Sequence, residues 1–207
     1  MLSHNPRRAR ILGLALPIIG GMVSQNILNL VDTAMVGHLG DAALAAVGMG
    51  GFASFTAMAL ILGIAVGVQA TAARRKGQGR YDEMAVALTA GLLVVVCVAP
   101  PFSVILYQCA PIFYPVLVDD PEVIGLGTLY LQIRVFAITF VACNFAFRGY
   151  WNAVDRSRLY LITLLIMHSC NICLNYVLIF GKLGFPELGV TGAGIGSAVS
   201  TAIGTAT

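Results

Sequence analysis

Residues 11–31 read ILGLALPIIGGMVSQNILNLV, twenty-one positions without Asp, Glu, Lys or Arg. At 1.5 Å of rise per residue, such a run spans about 30 Å, the thickness of a bilayer's hydrocarbon core. Further uncharged stretches lie at 42–73, 84–118, 159–181 and 188–207, and 123–147 joins them if Arg134 is tolerated inside it. The pattern predicts six spans, roughly 11–36, 42–72, 84–107, 124–147, 159–180 and 190–207. A barrel needs segments of ~10 residues with alternating polarity, and these runs are continuous. The fold class is an all-α polytopic membrane protein.

Composition agrees. Hydrophobic residues make up 58% of the 207 and charged ones 10%, against about 25% charged in soluble domains. So few charges cannot cover a water-soluble globule, which excludes soluble enzymes, disordered tails and nucleic-acid binders. Cys97, Cys109, Cys143, Cys170 and Cys173 lie in or beside apolar runs, where free cysteine behaves as a small hydrophobe. They form neither a disulfide framework nor a zinc spacing.

The connections carry the orientation. Arg7, Arg8 and Arg10 precede the first span; Arg74, Arg75, Lys76 and Arg80 follow the second; Arg148, Arg156 and Arg158 follow the fourth. The other side has Lys182 with Asp41, Asp119, Asp120, Glu122 and Glu187. The positive-inside rule therefore puts the N-terminus in the cytoplasm, in a multi-pass protein of the cell (inner) membrane. Arg7-Arg8 is not a twin-arginine signal, because the apolar run behind it is too long and lacks a small-residue cleavage site. The sixth span stops at Thr207 without a basic flank or polar tail. That ending reads as the N-terminal part of a longer protein, the alternative being a naturally short six-span chain.

An ionisable residue at membrane depth is a functional candidate by default. Asp32, His168 and Arg134 qualify. Gln25, Asn29 and Asp32 fall within about 60° of one another at 100° per residue, making one polar stripe on the first span. His168, Asn171 and Asn175 repeat that stripe on the fifth, again within about 60°. Counted from the span starts, Gln25 and Asp32 lie ~21 and ~32 Å in, and Asn171 and Asn175 ~18 and ~24 Å. Polar faces at overlapping depth point to a hydrated cavity or ion site between the helices. The alternative is that Asn29 and Asn171 only join helices, at ~0.6–2 kcal/mol per bond. Asp32 is different, since helix association does not require a carboxylate. His168 is either part of the site or a neutral imidazole donating to a carbonyl. Arg134 either pairs with Asp32 or snorkels. Pro17 removes one helix hydrogen bond and predicts a bend. Gly63/Gly67 and Gly192/Gly196 have the spacing of close helix packing.

Several stretches resemble a known family: Leu14-Ala15-Leu16-Pro17, the run from Val31 to Gly40 (VDTAMVGHLG), Tyr130-Leu131-Gln132-Ile133-Arg134, Arg148-Gly149-Tyr150-Trp151, Asn171 to Tyr176 (NICLNY) and Gly189-Val190-Thr191-Gly192-Ala193. In that order, they are similar to the multidrug and toxic compound extrusion (MATE) family, most closely its DNA-damage-inducible protein F branch. The resemblance implies a secondary antiporter of twelve helices in two six-helix lobes. It exports small organic, often cationic or amphiphilic, compounds in exchange for H+ or Na+. This chain, 1–207, is then the N-terminal lobe, with the lipid bilayer and a C-terminal lobe as partners. The resemblance ties Asp32 to ion coupling, as the carboxylate that takes a proton or holds sodium. It matches the polar pair of the fifth helix to Asn171 and Asn175, and a sixth-helix hydroxyl to Ser197. Some members carry an acidic residue where Asn175 stands, so here the lobe keeps one titratable carboxylate. No cofactor is implied beyond the coupling ion.

Three other functions stay open. A lipid-linked saccharide flippase of the same superfamily needs several cavity cations to hold pyrophosphate, and Arg134 stands alone. An intramembrane enzyme needs a nucleophile with a base or a metal, and His168 has no paired carboxylate within its own span. A non-transporting scaffold subunit would tolerate neutralisation of Asp32.

The charge asymmetry is testable in intact cells, in a background freed of the five native cysteines. A cysteine at position 122 is expected to react with an impermeant thiol reagent from outside, and one at position 77 to be protected. The reverse labelling overturns the orientation.

Overall fold

The computed structural model describes residues 6–207, with the side chains of 6–10 and 60 outside the described set. The basic cluster Arg7, Arg8 and Arg10 therefore lies outside the described side chains. Seven α-helices run in order: α1 (Pro6–Gly37), α2 (Asp41–Gly77), α3 (Met84–Leu117), α4 (Pro121–Phe136), α5 (Ile138–Ala153), α6 (Ser157–Ile179) and α7 (Gly189–Ala206). A 3₁₀ turn, Tyr81–Glu83, leads into α3. Four of these helices are long and apolar enough to cross a membrane, five if α4 and α5 count as one bent span. α7 falls short because Gly, Ser and Thr dilute its hydropathy. It is a packed helix, not a lipid-coated one. The chain is a multi-pass membrane protein.

The residues expected as one span at 124–147 fall on α4 and α5, which meet at 47°. No proline or glycine marks the break. At Ala137 the ladder closes with an i→i+3 bond, Ala137 N–H to the Arg134 carbonyl at 3.1 Å, and such a tightened turn redirects the axis. Pro17 lies inside α1, which continues through it as one helix. The third helix likewise carries Pro100, Pro101, Pro111 and Pro115 and runs on to Leu117.

In lipid, helices gain little by burying apolar faces and instead pack where small residues allow close approach. α2 buries Ala43, Ala46, Ser54, Ala57, Ile61, Ala65, Val68 and Ala72 along one stripe. α5 answers with Ile138, Ala142, Ala146, Gly149 and Ala153. At Gly149 the backbones meet, since a Cβ there would overlap the Ala65 carbonyl. Tyr114, fully buried, fills the space left by Gly50 and Gly127, where a Cβ would strike its ring or hydroxyl. Its hydroxyl donates to the Ala46 carbonyl at 2.7 Å. This keeps a polar group satisfied in a region where water is absent.

One end of the bundle is tied by charge. Lys76 Nζ lies 2.6 Å from Asp155 Oδ2, and Arg80 donates to both carboxylate oxygens of Glu83 at 2.7 and 2.6 Å. Both loops belong to the basic side, so the topology brings together the connections that the charge pattern groups.

Gly149→Ala drives a methyl into backbone that cannot yield, a strain of about 1–3 kcal/mol. The purified protein is expected to melt at a lower temperature. Gly125→Ala, where a Cβ meets nothing within 4 Å, is expected to melt with the wild type or slightly above it. Equal melting of the two variants would contradict the α2–α5 contact.

Candidate functional site

The site lies where α1, α6 and α7 meet, and α7's sequence makes it possible. Gly192, Gly196, Ser200 and Gly204 recur every fourth residue and form one small-residue face. A Cβ at Gly192 would press on the Leu178 carbonyl, one at Gly196 would overlap the Asn175 amide oxygen, and one at Gly204 would crowd Met167. α7 therefore closes on α6 and seals its amides from solvent. Asn171, Asn175, Ser197 and Ser200 are all buried. The Gly192/Gly196 spacing thus does serve close packing. Gly63 and Gly67 differ, since a Cβ on either meets nothing within 4 Å among the described residues.

A hydrogen-bonded chain runs through this interface. Asn175 Nδ2 donates to Asp32 Oδ1 at 2.9 Å and to Asn171 Oδ1 at 3.1 Å. Asn171 Nδ2 donates in turn to Ser197 Oγ at 3.3 Å and Ser200 Oγ at 3.1 Å. Ser200 and Thr201 pass their hydroxyl hydrogens to the Ser197 carbonyl at 3.0 and 2.7 Å. Asn144 on α5 joins the far end, donating to the Thr201 carbonyl at 3.2 Å. Both amide hydrogens of Asn175 are thus used, while its Oδ1 is buried with no hydrogen-bond partner among the described residues. A buried unpartnered carbonyl is costly. The orientation is nevertheless the one an ionised Asp32 requires, since a carboxylate only accepts.

A second network lies deeper along α1. Gln25 Nε2 donates to Asn29 Oδ1 at 3.2 Å, which turns Gln25 Oε1 towards His168 Nε2, also at 3.2 Å. Ser24 Oγ sits 2.7 Å from His168 Nδ1. These partners select the neutral tautomer with hydrogen on Nε2, donating to Gln25 and accepting from Ser24. The carbonyl that His168 meets is a side-chain amide rather than backbone.

The expected residues are thus divided between two networks. Asp32, Asn171, Asn175 and Ser197 form one; Gln25, Asn29 and His168 form the other. Gln25 and Asn29 are exposed, as are Asn26 and Thr33 beside them. The last two donate locally, to the Met22 and Asn29 carbonyls. α1 therefore presents an open polar flank. Arg134 forms no ion pair among the described residues. Its guanidinium lies 6.0 Å from the Tyr130 ring centroid, and its Nε is buried without a partner. Sequence reasoning missed Ser24, Ser200 and Asn144. Ser200 was detectable, standing one turn beyond Ser197 on the same face.

Comparison with known proteins agrees with this architecture. Residues 17–177 match the sequence profile of the MatE family. The chain is similar to the probable multidrug resistance protein NorM of Rhizobium meliloti, 32% identical over 182 residues, covering 88% of this chain and 39% of the relative. It is also similar to the probable multidrug resistance protein NorM of Pasteurella multocida, 27% identical over 198 residues, covering 95% and 42%. The chain thus spans about two fifths of the length of these curated relatives. A solved structure, described as the outward-facing conformation of a multidrug resistance MATE family transporter of the MOP superfamily, superposes with a TM-score of 0.88. It shares 22% identity and covers 95% of this chain and 43% of that one. At that identity the likeness is one of fold.

Proposed function

The chain belongs to the MatE family and has the fold of one lobe of a MATE transporter, and we propose on that premise that it supplies the ion-coupled half of an antiporter. That antiporter exports small organic, often cationic or amphiphilic, compounds from the cytoplasm, across the inner membrane. A second lobe completes the path, and the N-terminus is cytoplasmic. Asp32 is the group that exchanges the coupling ion; no residue is assigned a catalytic role.

The observation that carries this reading is the contact from Asn175 Nδ2 to Asp32 Oδ1 at 2.9 Å, at the head of a chain ending on Ser197 and Ser200. An amide is a donor on one edge and an acceptor on the other. Asn175 therefore serves both states of Asp32. To the carboxylate it offers N–H. To the protonated acid it offers the oxygen that now lies idle against Gly196. Turning Asn175 over would set its oxygen against that of Asn171, so Asn171 turns too, and the serine hydroxyls swing to donate to it. One proton on Asp32 thus reverses the direction of the whole chain. Two hydrogen-bond arrangements, each leaving one edge of the Asn175 amide idle against Gly196 and selected by one charge, are what a coupled switch needs.

Asp32 has a donor rather than an oxygen ligand as its described partner, which favours a proton over sodium as the coupling ion. The exposed flank of Gln25, Asn26 and Asn29 beside Asp32 suits a hydrated path. Of the alternatives, a lipid-linked saccharide flippase needs several cavity cations to hold pyrophosphate, and Arg134 stands alone. A scaffold has no use for a reversible chain.

The test is Asp32→Asn in the intact protein, with expression matched. The variant is expected to insert normally and still bind substrate. Ion-driven export should fall at least about tenfold across roughly pH 6 to 8, the loss of a typical coupling energy. Asn29→Ala, which changes no charge, should do less. Wild-type export by Asp32→Asn over that range would place coupling elsewhere.

A further inference from the structure

The side of α1 turned away from the polar flank carries a different feature. Between α1 and α6 lies an open groove of about 400 Å³ lined by Leu12, Gly13, Leu16, Pro17, Leu161 and Ile162, with Arg158 at its rim. A second hollow of about 350 Å³ continues along the same seam past Gly20, Val23, Ile27 and Leu165, with Ser24, Ser169 and His168 also in its lining. The ends, Leu12 and Ile27, are fifteen residues apart on one helix. That is ~22 Å of groove, enough to cover one leaflet's ~15 Å share of the hydrocarbon core. The walls are mainly apolar and face outward, Leu16, Ile162 and Ile27 each being more than half exposed.

The rim is basic, and Asp155 in the turn before α6 is already engaged by Lys76. Arg158 is exposed and has no hydrogen-bond or ion-pair partner among the described residues. Arg156 flanks it, and the sequence places Arg7, Arg8 and Arg10 in the turns of α1 just before the groove. No acidic residue of α1 or α6 stands at that end. An unpaired arginine at the head of an apolar channel one leaflet deep complements a single chemistry, an acyl chain carrying an anionic head.

We propose that the α1–α6 seam binds an anionic phospholipid of the basic-side leaflet, its phosphate on Arg158 and one acyl chain lying past Pro17 towards Ile27. This rests on the orientation given above but not on the role of Asp32. The acyl chain then packs against the turn where Pro17 interrupts the α1 hydrogen-bond ladder. A bound lipid therefore favours whichever shape of α1 keeps the groove open.

Gly13 provides a clean test, since a Cβ there meets nothing within 4 Å and leucine is a better helix former than glycine. Gly13→Leu projects a side chain into the groove from a Cβ position that is open. Lipid retention by the purified intact protein is measured by native mass spectrometry and by thermal shift, with phosphatidylglycerol and phosphatidylcholine added separately. The wild type is expected to retain phosphatidylglycerol in preference. Arg158→Gln should weaken phosphatidylglycerol about fivefold, the worth of one basic residue at a membrane surface, and leave phosphatidylcholine unchanged. Gly13→Leu should weaken both lipids, whereas Arg156→Gln should stay close to the wild type. Asp32→Asn should bind lipid normally, which separates failure here from failure of the coupling reading. Equal retention of the two lipids by the wild type, undiminished phosphatidylglycerol in Gly13→Leu, or the same loss in Arg156→Gln as in Arg158→Gln would each overturn the site.

Discussion

Hydrocarbon offers no water to a stray amide, so a polar group at membrane depth must find its partners within the protein. The arrangement of α1, α6 and α7 follows from that constraint. α6 brings two asparagines and a histidine into the apolar region, and each needs donors and acceptors from a neighbouring helix. α7 can supply them only by coming close, and its glycines at 192, 196 and 204 permit the approach. Ser197 and Ser200 then sit within hydrogen-bond distance of Asn171. α1 completes the set from the other side with Ser24, Gln25 and Asp32. The Asn175 oxygen, left without a partner among the described residues, is the group a protonated Asp32 would use.

The membrane fold was legible because hydrophobicity and charge act over whole segments. Uncharged runs of twenty residues and a one-sided distribution of arginine survive any uncertainty about local packing. The polar stripes were legible for the same reason, as periodicity groups Gln25 with Asn29 and Asp32. What periodicity cannot do is assign the edges of a stripe. Asp32 turns towards Asn175, whereas Gln25 and Asn29 stay at the open flank, and a few tens of degrees decide which. Ser24 escaped notice because a lone hydroxyl looks like any small packing residue until an imidazole is found against it. The break at Ala137 has no proline or glycine to announce it and comes from how α4 and α5 pack against α2, α3 and α7. Conversely, the four prolines of α3 suggest breaks that the helix does not make. That Gly149 cannot take a methyl is visible only in the structure, where a Cβ would meet the Ala65 carbonyl.

α1 has three chemically distinct sides. One holds the carboxylate against α6, one presents exposed amides, and one forms an apolar seam next to Pro17. A change in the charge of Asp32 acts on the first, hydration on the second and lipid on the third. Pro17 lies four turns from Asp32 on the same helix, so a hydrogen bond gained or lost at one point can be read as a change of helix shape at another. In either orientation one edge of the Asn175 amide faces Gly196 without a partner, so the charge on Asp32 decides which edge is used.

The central claim is that protonation of Asp32 and inversion of the Asn175–Asn171 amides are one event. Infrared difference spectroscopy on the intact protein in lipid, recorded between acidic and basic pH with asparagine side chains isotope-labelled, observes both groups at once. The account predicts a protonated carboxyl band that rises together with a shift of the labelled amide bands, both absent in Asp32→Asn. A carboxyl band that rises while the asparagine amides stay unmoved would contradict it.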